Sequence, residues 1–132
     1  MPAHAKHNDI PYHQTLPPLH PVFANDEGAQ AAYRLFGLCG RHIGGSTNAI
    51  AAFLVGLYNP SYAPGDPAYL CRWSNNAVFE DVVKTMRWTR AKRQYEIHHI
   101  FARDRSKTMD IFMQRFEFGP FRRRAEDFDS LS

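Results

Sequence analysis

The sequence predicts a mainly α-helical fold, a compact bundle of about four helices, and three observations carry that prediction. Apolar residues recur at helical spacing in three segments and fill a fourth nearly all round. Capping or stop residues bracket these segments. Only one short window, near residues 94–102, alternates with the two-residue period of a strand. At 132 residues the chain has room for one domain with a real core. The expected organisation is an extended or disordered Pro/His-rich tail over residues 1–21, followed by a single helical domain over residues 22–132.

The tail holds Pro2, Pro11, Pro17, Pro18 and Pro21, which remove backbone donors and fix extended conformations. Such a tail either stays mobile or lies as an arm across the body. The first helix is expected from Asp26 to Cys39, with Asn25 as cap, acids at its positive end and Gly40 at its close. Ala32, Leu35, Phe36 and Cys39 form its core stripe. Ser46 or Thr47 then caps a second helix running to Tyr58, whose apolar surround marks it as the central buried one. Pro60, Pro64, Gly65 and Pro67 punctuate a connection over residues 59–73, with Tyr69, Leu70 and Trp73 as its anchors.

A third helix follows from Ser74 or Asn75 to Arg90, with Val78, Phe79, Val82, Val83 and Met86 inward. Tyr95, Ile97 and His99 then alternate, so a short hairpin near 94–102 and a continued helix both stay open. Thr108 caps a fourth helix with Met109, Phe112, Met113 and Phe116 inward, and Gly119-Pro120 ends it.

Several motifs invite a chemical reading and fail on their residues. Gly40 to Thr47 has the glycine and hydroxyl spacing of a phosphate-binding loop, but Ser46 stands where the lysine belongs. Glu96-Ile97-His98-His99-Ile100 looks like the opening strand of an HNH-type nuclease. The later Asn and His residues that would complete its metal site are missing, because residues 102–132 contain neither type. A metal-dependent enzyme using His98 and His99 is thereby kept as a second alternative. No GxSxG is present, and neither Cys39 nor Cys71 has an activating neighbourhood. Trimmed of its Met, the chain would begin Pro2-Ala3-His4, a square-planar Cu(II) or Ni(II) chelate at an exposed end; as a bland polar tail it needs no metal, and no cofactor is expected. The first two helices around a glycine turn lack the polar second helix that DNA reading requires.

Charge is the feature that remains. Lys84 to Arg124 carries twelve Lys/Arg against four Asp/Glu, while the rest carries four against nine, for a formal net charge of +3. Such asymmetry speaks of partners. The candidate partner-binding residues are Lys84, Arg87, Trp88, Arg90, Lys92, Arg93, Arg103, Arg105, Arg122, Arg123 and Arg124. Arginine interleaved with aromatics suits protein hot spots and nucleic acid alike. A solvated face with its aromatics turned inward is the plain alternative. No window approaches membrane-spanning length, and two distant cysteines suit a reducing cytoplasm.

The stretch from Gly28 to Trp88 carries Gly45, Ala52-Phe53-Leu54, Asn59, Gly65, Leu70, Trp73 and the Val78-to-Met86 helix. On these residues it resembles an uncharacterised family of small proteins carried by plasmids, phages and integrative elements of proteobacteria. The resemblance implies an accessory protein of a mobile element, of the kind that binds host machinery, defence complexes included. The expected function is therefore non-catalytic: docking of the basic, aromatic-interleaved C-terminal face on a host protein or nucleoprotein complex, as inhibitor or modulator. Direct nucleic-acid binding by the same face is the alternative.

Overall fold

A computed structural model describes residues 14–42, 44–63 and 65–122. The expectations that fall on residues 1–13, among them the His4 chelate, and on Arg123 and Arg124 lie outside the described residues. Within them the protein is a helical bundle of five α-helices: α1 Glu27–Arg41, α2 Ser46–Tyr58, α3 Pro67–Trp73, α4 Asn76–Ala91 and α5 Arg105–Phe116.

Helix α1 begins one residue later than expected. Asp26, not Asn25, is the cap, and its Oδ1 accepts the N–H groups of Gly28 and Ala29 at 3.1 and 3.2 Å. The stripe of Ala32, Leu35, Phe36 and Cys39 is buried throughout. Helix α2 is buried on most of its circumference, from Thr47 through Ala49–Ala52 to Leu54 and Val55. No side chain caps it: Gly45 occupies the cap position at φ +55°, after Gly44 at φ +87°, backbone that a side chain would strain. The Thr47 hydroxyl is turned back onto the Gly44 carbonyl at 2.6 Å.

Part of the expected connection is helical. Asp66 caps α3 by accepting the Tyr69 N–H at 3.0 Å, and Pro67 sits in the first turn, where its missing N–H costs nothing. Leu70 is buried as an anchor, but Trp73 is 70% exposed and anchors nothing. Asn75 caps α4 through the Val78 N–H.

The window that alternates like a strand forms no hairpin. Ile97–Ile100 is a 3-10 turn, and its two isoleucines are both buried. Their i, i+3 separation is one turn of a 3-10 helix, which points both at the core. The remaining strand character is one antiparallel bridge from Leu19 to Phe101. Helix α5 starts three residues before the expected Thr108 cap, because Asp104 takes a left-handed conformation and Arg105 Nε–H donates to the Phe101 carbonyl at 2.8 Å. Thr108 is buried inside the helix.

Residues 14–20 cross the body as an extended strap. Gln14 N–H donates to the Gly40 carbonyl, Tyr33 OH to the Pro17 carbonyl, and His20 N–H to the Ile100 carbonyl. The core beneath is aromatic. Phe36 meets Phe101 and Phe112 edge-on, each at 5.0 Å between centroids, and each such ring contributes about 1.5–3 kcal/mol by burial.

Candidate interaction surface

Helix α4 lies at the edge of the bundle, packed chiefly on α1. The side it turns inward holds Val82, Thr85 and Trp88, all buried. Gly28 makes the approach possible, since a Cβ there would fall 2.4 Å from Trp88 Cβ. Two ion pairs bridge the helices. Arg34 makes a two-pronged contact with Asp81, Nε and Nη2 donating at 3.1 and 2.8 Å, and Lys84 Nζ sits 3.1 Å from Glu27.

Trp88 is therefore a core residue and not a docking aromatic. It is 4% exposed, and its indole N–H donates to Asp26 Oδ2 at 2.9 Å. Lys84 is likewise engaged with an acid of the front half. Trp88 is the member of the expected set that is corrected: the helix turns it into the core, while Lys84, its side chain 37% exposed, stays at the groove's edge.

A second side of α4 is only partly covered among the described residues. Phe79, Val83, Met86 and Arg90 stand at i, i+4, i+7 and i+11, one stripe of the helix, with Arg87 beside them. Phe79 and Val83 are half-buried, Arg87 and Arg90 are exposed, and Met86 is 54% exposed. The inner face expected from sequence was too broad. Of its five apolar residues, Val82 alone is fully buried, Val78, Phe79 and Val83 are partly covered, and Met86 faces solvent. The signal for a second stripe was present in the sequence, since 78, 82, 85 and 79, 83, 86 are two parallel rows.

Beyond α4 the cations divide. Lys92 and Arg93 are exposed in the turn that follows the helix. Lys92 rims a hollow with Pro21, Val22 and Asp26, and Val22 in turn lines the cavity that holds Arg105. These two cations thus edge adjoining depressions. Arg103 is exposed and approaches Asp104 at 3.9 Å. Arg122 lies elsewhere: it follows Gly119–Phe121, which Tyr62 holds through the Gly119 N–H, past the far end of α5 from Arg105.

One basic residue absent from the expected set has a defined task. Arg115 donates from Nε to the Cys39 carbonyl at 3.1 Å and from Nη2 to the His42 carbonyl at 3.3 Å. It joins α5 to the C-terminal carbonyls of α1, where a cation also favours the helix dipole. Burial lowers its pKa, against the opposing pull of the Cys39 thiol.

Charge is not uniform over this surface. The groove of about 430 Å³ between the ends of α1 and α4 is lined by Lys84, Arg87 and Lys92, but also by Asp26, Glu27 and Glu80. Its charges balance, so it is no anion funnel. Arg90 and Arg93 lie outside that groove, and none of Arg87, Arg90, Lys92 and Arg93 makes an ion pair among the described residues.

The paired histidines do not form the strand of an HNH site. His98 packs edge-on against Tyr58 at 5.0 Å, and its Nδ1 is buried without a partner. Burial first, and His99 second, lower its pKa. His99 Nδ1 accepts the Glu96 N–H at 2.9 Å. Among the described residues no three His, Cys, Asp or Glu side chains are placed to share a metal ion.

No family model matches the chain, and no curated protein or solved structure matches it.

Proposed function

We propose that this chain acts by stoichiometric binding. It docks the outer face of α4, with the cations that follow it, on a host protein or nucleoprotein complex in the cytoplasm. There it works as an inhibitor or modulator supplied by a mobile element. The observation that carries this reading is the row of half-buried Phe79 and Val83 and exposed Met86 running into Arg87 and Arg90. An apolar strip flanked by arginine has the composition of a protein hot spot, with desolvated apolar contact at the centre and bidentate pairing at its edge. Phosphate neutralisation alone gives no role to an exposed methionine, which favours a protein partner over bare nucleic acid. Two free thiols, Cys39 and Cys71, suit a reducing compartment. Among the described residues no helix is long and apolar enough to cross a membrane.

The test is capture of a partner from bacterial host lysate by the tagged chain, with and without nuclease. One defined protein complex is expected in both arms. Met86→Asp and the Arg87→Glu/Arg90→Glu pair should each lower its recovery at least tenfold, with the thermal midpoint of the chain unchanged. Recovery abolished by nuclease would transfer the reading to nucleic acid. Recovery unaltered by both variants would remove α4 from the interface.

A further inference from the structure

A second depression lies at the junction of the strap, the 3-10 turn and the start of α5. It has a volume of about 410 Å³ and is lined by His20, Val22, Phe23, Gln94, Tyr95, His99 and Arg105. From the donor set of this cavity we propose that it is a binding site for a phosphoryl group.

The argument rests on what each polar wall can offer. His20 Nδ1 accepts the Val22 N–H at 3.0 Å, and His99 Nδ1 accepts the Glu96 N–H at 2.9 Å. A neutral imidazole that accepts at Nδ1 carries its proton on Nε2. Each ring is thus set as a donor on the side its backbone contact leaves open. Arg105 donates Nε–H to the Phe101 carbonyl at 2.8 Å, which fixes the guanidinium plane and spends one of its five N–H groups. The terminal nitrogens remain for a ligand. No carboxylate lines the cavity, in contrast to the balanced groove beside α4.

The ligand class follows from number and shape. Besides the Gln94 amide and the Tyr95 hydroxyl, three donor side chains arrive from three separate segments, at positions 20, 99 and 105. A phosphoryl group presents three terminal oxygens where a carboxylate presents two, and arginine pairs with it by two parallel bonds. The space exceeds that of an oxyanion alone, since a water occupies about 30 Å³ in the liquid. It admits the ester group of a phosphate monoester beside Tyr95 and Phe23, whose rings meet edge-on at 5.0 Å. None of these seven residues belongs to the outer stripe of α4, so the phosphoryl site and the docking reading stand or fall separately.

Nuclear magnetic resonance of the full chain tests the site, with inorganic phosphate and phenyl phosphate titrated at constant ionic strength held by chloride. Saturable shifts of the His20 and His99 ring protons are expected. Both Arg105→Gln and His20→Asn should weaken the fitted affinity about tenfold or more. The Asn variant keeps an acceptor for the Val22 N–H while deleting the ring donor, so it reads the site even where Arg105→Gln fails to fold. A 5′-phosphorylated dinucleotide that binds more tightly than its 5′-hydroxyl counterpart would place the phosphoryl group on a nucleic-acid end, and equal weak binding of both would leave the small ester as its source. Shifts that never saturate, or an affinity identical in the folded variants, would overturn the proposal.

Discussion

Asp26 divides its carboxylate between two helices: Oδ1 caps α1, and Oδ2 accepts the indole N–H of Trp88 on α4 at 2.9 Å. One side chain therefore starts the first helix and fixes the rotamer of the largest residue between α1 and α4. Asp26→Ala removes the cap, worth about 1 kcal/mol, and leaves a buried indole donor unpaired, worth about 1–3 kcal/mol. The expected loss of stability is thus about 2–4 kcal/mol. Asp26→Asn keeps a carbonyl oxygen for the cap but turns an NH2 group toward the indole, and should lose only the second part. Urea unfolding followed by tryptophan fluorescence measures both. An Asn variant as stable as the native chain would show that the Trp88 contact contributes nothing.

Helix α1 could be read from sequence because its core stripe and the acids at its start are local signals, although the cap fell on Asp26 and not on the expected Asn25. Its four stripe residues are all buried, and the period alone picks them out. Helix α4 was legible as a helix but not in its facing. Val78, Phe79, Val82, Val83 and Met86 span a wide apolar arc, and which half is covered depends on α1 being its chief partner. Nothing within the helix encodes that. The window at 94–102 failed for a related reason. Spacings of two and three coexist in Tyr95, Ile97, His99 and Ile100, and a four-residue turn is too short for a period to decide. The phosphoryl cavity was invisible, because His20 and His99 meet only once the strap has been laid against the 3-10 turn through Leu19 and Phe101.

The two thiols should differ sharply in reactivity. Cys39 is fully buried in α1 with its Sγ 3.7 Å from the Thr47 carbonyl, and burial pushes its pKa up to about 12 against the weaker opposing field of Arg115. The thiolate is the reactive species, so Cys39 should be inert in the folded chain. Cys71 is exposed on α3. A disulfide-exchange reagent should titrate one thiol in native protein and two in denaturant, and Cys71→Ser should abolish the native reaction. A second equivalent reacting at the native rate would contradict the burial of Cys39.

His98 supplies a pH dependence whose sign is fixed by its surroundings. Its Nδ1 is buried without a partner, its ring abuts Tyr58, and burial followed by His99 lowers its pKa from the ordinary 6.5. The nearby Glu96 opposes that shift and Arg105 adds to it. Below pH 6.5 the unfolded chain takes up the proton before the folded chain does, so proton uptake favours unfolding. The contribution is complete above the unfolded value and is lost as pH falls through the folded one. The urea midpoint of the native chain should therefore drop between about pH 7.5 and about pH 5.5. His98→Gln removes the titrating ring while His20, His42 and His99 remain, so its midpoint should fall by less over the same interval. Parallel pH profiles in the two proteins would show that His98 titrates alike in the folded and unfolded chain, and that its enclosure against Tyr58 has no energetic consequence.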